Sequence, residues 1–155
     1  MKQRFRVLML CLSLSIAVFT TTQRARATLG ESADSVESDR TALSAVRGAT
    51  TIRSGYAVHE VSGATTVREY VSPAGIVFGI AWNGLVHPDL TLLLGAYATE
   101  YHEALRQTPR EKGVRRLEGK SSRVVVEKWV HRRNLQGRAY APDLIPPGVS
   151  VDENK

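Results

Sequence analysis

The clearest hydrophobic pattern of the chain lies between Val67 and Trp82 and predicts two paired β-strands. Val67 to Val71 is rich in residues that favour strands, with Val67, Glu69 and Val71 on one face and Arg68 and Tyr70 on the other. Ser72-Pro73-Ala74-Gly75 has the proline and glycine of a tight turn, which favours a hairpin. The return strand, Ile76 to Trp82, is apolar on both sides, so we expect it at the centre of a sheet. Strict alternation places its largest side chains on one face: Ile76, Phe78, Ile80 and Trp82.

A helical pattern follows, with apolar residues at steps of three and four: Leu90, Leu93, Leu94, Tyr97, Tyr101, Ala104 and Leu105. Asp89 suits the helix N-terminus, because its carboxylate accepts hydrogen bonds from backbone amides and interacts favourably with the helix dipole. Pro109 disfavours continuation, so we expect the helix to end near Gln107. Gly95 lowers the helix propensity by roughly 1 kcal/mol relative to Ala. The pattern predicts one long helix, with Leu94 buried against the sheet.

Shorter patterns predict the remaining regular elements. Strands are expected from Tyr56 to Val61, from Arg123 to Val130 and from Leu135 to Ala141. A short helix is expected within the polar segment 28–48, which has a sparse apolar face. The order of elements predicts an α+β fold. Its sheet is antiparallel and has about five strands, a three-stranded meander and then a hairpin, and one long helix packs on it.

Two stretches lack a strand or helix pattern. Ala49 to Ser54 is interpreted as a linker, and residues 110–123 as a mobile basic loop without apolar periodicity. Residues 49–145 are therefore expected to form a single α+β domain, followed by a polar tail, residues 146–155, that contains prolines.

The first 27 residues have the pattern of a cleavable signal peptide. Lys2, Arg4 and Arg6 give a basic start, an apolar segment follows, and Ala25-Arg26-Ala27 is an A-x-A cleavage site. The apolar segment is too short to span a bilayer, which requires about 20 residues. We therefore expect export to the periplasm or the medium, with no stable membrane span after cleavage.

Removing that segment changes the charge and the cysteine content. Five of the 21 basic residues and none of the 15 acidic residues lie in it, which leaves 16 against 15, a net charge of +1 instead of +6. The high isoelectric point is thus largely a property of the signal, and nucleic acid is not expected as a partner. The single cysteine, Cys11, is also removed, which excludes disulfides and thiol catalysis.

Several motifs together resemble an exported bacterial family catalogued as domain of unknown function 2844. The most specific is VREYVSPAG, Val67 to Gly75, and the others are SVESDR from Ser35, YAVHE from Tyr56, PDL from Pro88, and GRAY from Gly137. The resemblance covers nearly the whole chain after the signal. It implies export and a single compact domain with no known cofactor, and it brings no catalytic residues. It also implies a partner, which we expect to be another exported protein or an envelope component.

The sequence offers few candidates for catalysis. His102-Glu103-Ala104-Leu105-Arg106 resembles a zinc-protease helix, but Arg106 replaces the second histidine ligand. No nucleophile elbow, phosphate loop or dinucleotide turn is present. We predict no metal and no cofactor.

Two functional hypotheses remain open. The first is a non-catalytic binding module whose partner site lies between the central strand and the helix, at Trp82, Asn83, His87 and Asp89. In the competing interpretation of the same residues, Trp82 packs in the core and Asp89 only caps the helix. The second hypothesis is an unrecognised hydrolase that uses His87, Asp89 and His102, which would have to converge in one cleft.

Overall fold

The computed structural model describes residues 29–109, 113 and 115–151, which form seven antiparallel strands in one sheet and three α-helices. The strands, in the sheet order β1-β2-β3-β4-β7-β6-β5, are defined as β1 Val46–Arg53, β2 Tyr56–Ser62, β3 Thr65–Val71, β4 Val77–Gly84, β5 Arg116–Lys120, β6 Val125–His131 and β7 Asn134–Tyr140. The helices are α1 Val36–Ala42, α2 Leu90–Leu94 and α3 Ala98–Gln107. The predicted α+β class and antiparallel sheet are confirmed.

Parts of the predicted organisation lie outside the described residues. These are the signal peptide, residues 1–27, part of the basic loop including Arg110 and Lys112, and residues 152–155 of the tail.

The prediction of about five strands was wrong, because two edge strands were missed. Strand β1 covers the predicted linker, and all eight of its residues are exposed, so its sequence has no alternation of polar and apolar positions. Strand β5 lies in the predicted basic loop and is mostly charged. Its Gly119 lies beneath the ring of Tyr101, where a Cβ would come within 3.0 Å of the ring carbons. Edge strands bury little side-chain surface, and the hydrophobic pattern that marks a strand is correspondingly weak.

The prediction of one long helix was also wrong in its middle. Gly95 has φ 48° and ψ −115°, a left-handed conformation that ends α2 and starts a 3₁₀ turn, Gly95–Tyr97, before α3. The predicted ends are confirmed. Asp89 is the N-cap and accepts hydrogen bonds from the amides of Thr91 and Leu92, and α3 ends at Gln107.

Helices α2 and α3 cover one face of the sheet, which we call the helix face. Leu93, Leu94 and Tyr101 are at most 2% exposed and pack with sheet residues such as Ile80 and Val126. Leu94 is fully buried, as predicted. The N-terminal segment joins this core, because the amide of Leu29 donates to the carbonyl of Leu93 over 3.0 Å and Leu29 is 1% exposed.

The opposite face, which we call the open face, is covered only in part. A β-bulge at Phe78 shifts the register of β4 against β3, so Phe78 does not share a face with Ile80 and Trp82 as strict alternation predicted. It packs instead with Tyr56 and Tyr70 on the open face. The C-terminal segment, through Leu144, Ile145 and Val149, covers this aromatic cluster.

Candidate functional site

The uncovered part of the open face contains a groove between two arginines. Strand register places one row of side chains across six strands: Glu60, Arg68, Ala81, Arg138, Glu127 and Glu118. Ala81 is the only small residue in that row, and it lies on the central strand between Arg68 and Arg138. Its missing side-chain volume opens a cavity of ≈ 460 Å³. We call this the arginine groove, and its main lining side chains are Thr66, Arg68, Ala81, Asn83, Arg116, Glu127, Trp129, Gln136 and Arg138.

Glu127 positions one wall of the groove. Its carboxylate is 6% exposed and accepts hydrogen bonds from both Arg138 and Arg116. Burial acts to raise the pKa of Glu127, but the hydrogen bonds and charges of the two arginines outweigh it and hold the pKa below its ordinary value. An ionised Glu127 therefore fixes both guanidinium groups at one edge of the groove. The charged side chains that line the groove are three arginines and this single glutamate, and Glu60 and Glu118 at its two ends pair with Arg68 and Arg116.

The tail fixes Arg138 from its other side. Its Nη1 donates a hydrogen bond to the carbonyl of Val151 over 2.8 Å, and the guanidinium lies 5.8 Å from the ring centroid of Tyr140. Arg138 is only 8% exposed, so it is a rigid part of the wall.

Arg68 forms the opposite wall and is more accessible. Its Nε donates to Glu60 over 3.0 Å, and its side chain is 39% exposed. That ion pair holds the guanidinium through Nε only. A planar guanidinium held in this way can present its two Nη groups to a carboxylate or phosphate as a bidentate donor.

A second row, which lies next to the first along the strands, is uncharged at its centre. Thr66, Asn83, Gln136 and Trp129 follow one another across β3, β4, β7 and β6. The indole Nε1 of Trp129 donates to Oε1 of Gln136 over 2.6 Å. Because an indole only donates, this contact assigns the amide oxygen and leaves the Gln136 amino group as a donor towards the groove.

Two residues of the predicted partner site, Trp82 and Asn83, line the arginine groove, but only Asn83 has its side chain on the open face. Trp82 lies on the helix face, is 3% exposed and packs over Gly137, where a Cβ would collide with the indole. Its Nε1 donates to Nδ1 of His87 over 3.1 Å. Burial, followed by the charge of Lys128, lowers the pKa of His87, in agreement with a neutral ring that accepts this bond. Trp82 and Asp89 thus have packing and capping roles, and the predicted partner site remains a prediction.

The loop between β4 and α2 has two exposed apolar residues that sequence analysis did not single out. Leu85 is 74% exposed and Val86 52% exposed, and the hydroxyl of Thr65 holds the loop by donating to the carbonyl of Val86 over 2.6 Å. The loop begins immediately after Asn83 and Gly84, at the end of the arginine groove.

The three residues of the hydrolase hypothesis have separate surroundings. His87 contacts Trp82, Asp89 caps α2, and His102 lies on the exposed side of α3 beside Arg106. The arginine groove contains none of them. Among the described residues, no group of three or more histidine, cysteine, aspartate or glutamate side chains could hold a metal ion.

Glu69 is an unusual buried acid on the helix face. It is 1% exposed, and in the described part of the chain neither carboxylate oxygen has a hydrogen-bond partner. Burial raises the pKa of Glu69 to about 7. The alternation of β3 signals this location, since it places Glu69 on the same face as Val67 and Val71.

Sequence reasoning missed most of the groove. Arg68 could have been placed on the face opposite Val67 from alternation alone, but its neighbours come from β4, β7 and β6, and Arg138 on β7 lies 70 residues away in the chain. The signal that existed was a set of polar residues at alternate positions in otherwise apolar strands: Arg68, Arg138, Gln136 and Glu127.

Comparison with known proteins gives one match. Residues 25–154 match a family model described as protein of unknown function (DUF2844). No curated protein and no solved structure matches the chain.

Proposed function

The chain belongs to the DUF2844 family, and from that premise we propose that it is an exported, non-catalytic binding module that holds an anionic ligand in the arginine groove. The observation that supports this most directly is the position of Ala81 between Arg68 and Arg138. The row of charged side chains is interrupted at its centre by a residue too small to fill the space, so the accessible guanidinium of Arg68 faces an open site whose opposite wall is Arg138.

The rest of the groove suits binding better than catalysis. Its acidic group, Glu127, is bonded to two arginines that hold its pKa below the ordinary value, which makes it a weak base for proton transfer. Among the described residues that line the groove, none is a histidine, serine or cysteine that could act as nucleophile or base. The remaining groups, Asn83, Thr66 and Gln136, are neutral hydrogen-bonding side chains that fix the orientation of a polar ligand.

Export is part of the proposal and rests on the N-terminal sequence. The basic start, the short apolar segment and the A-x-A site at Ala25 to Ala27 support it. Leu29, two residues after that site, is already a core residue. In the described residues no helix is both long and apolar enough to cross a membrane. The partner that presents the ligand is proposed to be another exported protein or an envelope component, and nucleic acid is not expected.

The hydrolase alternative gains no support from the geometry, because His87, Asp89 and His102 have separate surroundings. The apolar loop residues Leu85 and Val86, beside Asn83, suit a protein surface that contacts the partner at the end of the groove.

The test of the groove uses NMR titration with small anions. Galacturonate, glutamate and inorganic phosphate are added at millimolar concentration to the mature protein, and the indole N–H of Trp129 and the amide signals of Gln136 and Ala81 are followed. We expect at least one anion to shift these signals, with an affinity reduced by about tenfold in Arg68→Gln, since a charged hydrogen-bonding pair contributes roughly 1.5–3 kcal/mol.

The matched control is Arg123→Gln. Arg123 is 56% exposed and pairs with Glu100 of α3, so this variant removes the same charge away from the groove. Equal affinity of wild type and Arg68→Gln, or no shift at these residues with any of the three anions, would contradict the proposed groove site.

A further inference from the structure

A second depression lies beside the arginine groove on the open face and shares one wall with it. It has a volume of ≈ 310 Å³ and is lined by side chains of β1, β2 and β3, among them Thr51, Arg53 and Glu60. Arg68 lines both depressions. We call the second one the outer groove. The two grooves together extend across the sheet from β1 to β5, and Arg68 is the common wall.

The cationic side chains along this surface lie on alternate strands. Arg53 is on β1, Arg68 on β3 and Arg138 on β7, which are the first, third and fifth strands of the sheet order. Two strand spacings correspond to about 10 Å. Arg68 and Arg138 share one row, whereas Arg53 is displaced along its strand, so the line of arginines runs diagonally across the sheet.

Between the arginines the surface offers neutral hydroxyl and amide groups and the carboxylate of Glu60, which pairs with Arg68. Thr51 lies in the outer groove, and Thr66, Asn83 and Gln136 lie in the arginine groove. A ligand that matches both features carries anionic groups at intervals and hydroxyl groups between them. Acidic oligosaccharides have this composition.

An extended peptide fits this surface less well. A peptide that binds a sheet usually gains its affinity from backbone hydrogen bonds to an unpaired strand. Strands β2, β3, β4, β7 and β6 are each paired on both sides, so their backbone groups are already used inside the sheet. The open face of these strands offers side chains only, which suits a ligand that is recognised through its own hydroxyl and carboxylate groups.

We propose that the outer groove and the arginine groove form one continuous site for an acidic oligosaccharide built of uronic acid units. The uronate chain crosses the strands, with one carboxylate at Arg68 in the arginine groove and another at Arg53, on the far side of Glu60 from Arg68. This inference rests on the proposed function and adds the ligand class and the second subsite.

The test is isothermal titration of the mature protein with galacturonate oligomers of two lengths. A dimer can occupy the arginine groove alone, and a hexamer can occupy both grooves. We expect the hexamer to bind at least about tenfold more tightly than the dimer, and a neutral hexamer of glucose not to bind.

Three variants separate the two subsites. Arg68→Gln should weaken both oligomers, Arg53→Gln should weaken only the hexamer and bring its affinity to that of the dimer, and Arg123→Gln should change neither. A glutamate hexapeptide has the same formal charge as the galacturonate hexamer and tests the ligand class.

The outcomes distinguish this inference from the function on which it rests. Equal affinities of dimer and hexamer, with sensitivity to Arg68→Gln, would overturn the continuous site and leave the arginine groove in place. Tighter binding of the glutamate peptide than of the galacturonate hexamer would overturn the carbohydrate class. Binding of no oligomer, while single anions still shift the groove signals by NMR, would overturn the inference and spare the proposed function.

Discussion

Glu69 shows at the scale of a single residue how a polar group in the core links stability to pH. An ionised carboxylate without a partner is costly to bury, so the folded protein holds the proton more tightly than the unfolded chain does. The pKa of Glu69 is raised from 4.5 to about 7. Between these two values the folded state binds one more proton than the unfolded state, and the free energy of unfolding therefore falls as the pH rises.

The variant Glu69→Gln removes this titration while keeping the shape of the side chain. Over the interval from 4.5 to about 7, the wild type should lose about 3 kcal/mol of unfolding free energy relative to the variant, at roughly 1.4 kcal/mol per pH unit. Urea unfolding at several pH values measures the difference. Parallel pH profiles of the two proteins would show that Glu69 is ionised in the folded state or finds a partner.

Leu94 tests the packing of the helix layer on the sheet. It is fully buried among the residues of the helix-face core, so Leu94→Ala should lower the unfolding free energy by about 2–5 kcal/mol, through lost burial and the cavity that remains. Leu85→Ala is the matched control, because Leu85 is 74% exposed, and it should change stability by less than about 0.5 kcal/mol. A loss below about 1 kcal/mol for Leu94→Ala would mean that the helix layer does not pack on the sheet through this residue.

At the scale of elements, the sequence and the structure agree where a segment buries one side. Strands β2 to β4, the cap at Asp89 and the helix end at Gln107 follow from local patterns, since alternation, capping and proline act over a few residues. The failures have different physical causes. Strand β1 is exposed on both sides and has no period to detect, and the bulge at Phe78 depends on how β4 pairs with β3.

The arginine groove shows the same limit more strongly. Each of its walls can be assigned to a strand face from alternation, but the groove exists only because β7 returns to lie beside β4. That pairing joins residues near position 80 to residues near position 139 and is not a local property of either segment. Ala81 also looks unremarkable in the sequence, and its importance comes from the two long side chains that register places beside it.

Gly95 gives a prediction whose sign separates a continuous helix from a broken one. In a continuous helix, Gly95→Ala would stabilise the protein by roughly 1 kcal/mol, because alanine has the higher helix propensity. With φ at 48°, the residue is in a region that a Cβ disfavours, so we expect a loss of about 1 kcal/mol or more. Thermal and urea unfolding measure it, and Thr99→Ala within α3 serves as the control that should gain a few tenths of a kcal/mol. A stabilised Gly95→Ala variant would indicate that α2 and α3 can merge.

At the scale of the whole molecule, the two faces of the sheet differ in what packs against them. The helix face supplies most of the apolar core, and the N-terminal segment, α2 and α3 close it. The open face has a smaller aromatic cluster beneath the tail and leaves its charged rows to solvent. Because the groove walls are attached to strands whose other face is packed in the core, the proposed ligand site is preorganised by the same sheet that stabilises the fold.

The N-terminal segment links this architecture to export. Besides the bond from Leu29 to Leu93, the amide of Gly30 donates to the carbonyl of Val77 over 2.8 Å, and the amide of Val77 donates to the carbonyl of Glu31 over 2.9 Å. Residues 29–31 are therefore already part of the folded domain. The predicted cleavage site leaves a single residue, Thr28, before Leu29.

This proximity leads to a prediction about processing. Signal peptidases cut an extended chain after a small residue, so cleavage after Ala27 should precede the docking of Leu29 into the core. Mass spectrometry of the protein from its native host should find Thr28 as the first residue, and Ala27→Lys should accumulate the uncut chain. The Leu29→Ala variant serves as a contrast and should be cut at the same place. Its free energy of unfolding should be lower by about 2–5 kcal/mol, since Leu29 is 1% exposed. An intact Met1 on a membrane-bound species of the wild type would show that the segment is an anchor and not a cleaved signal.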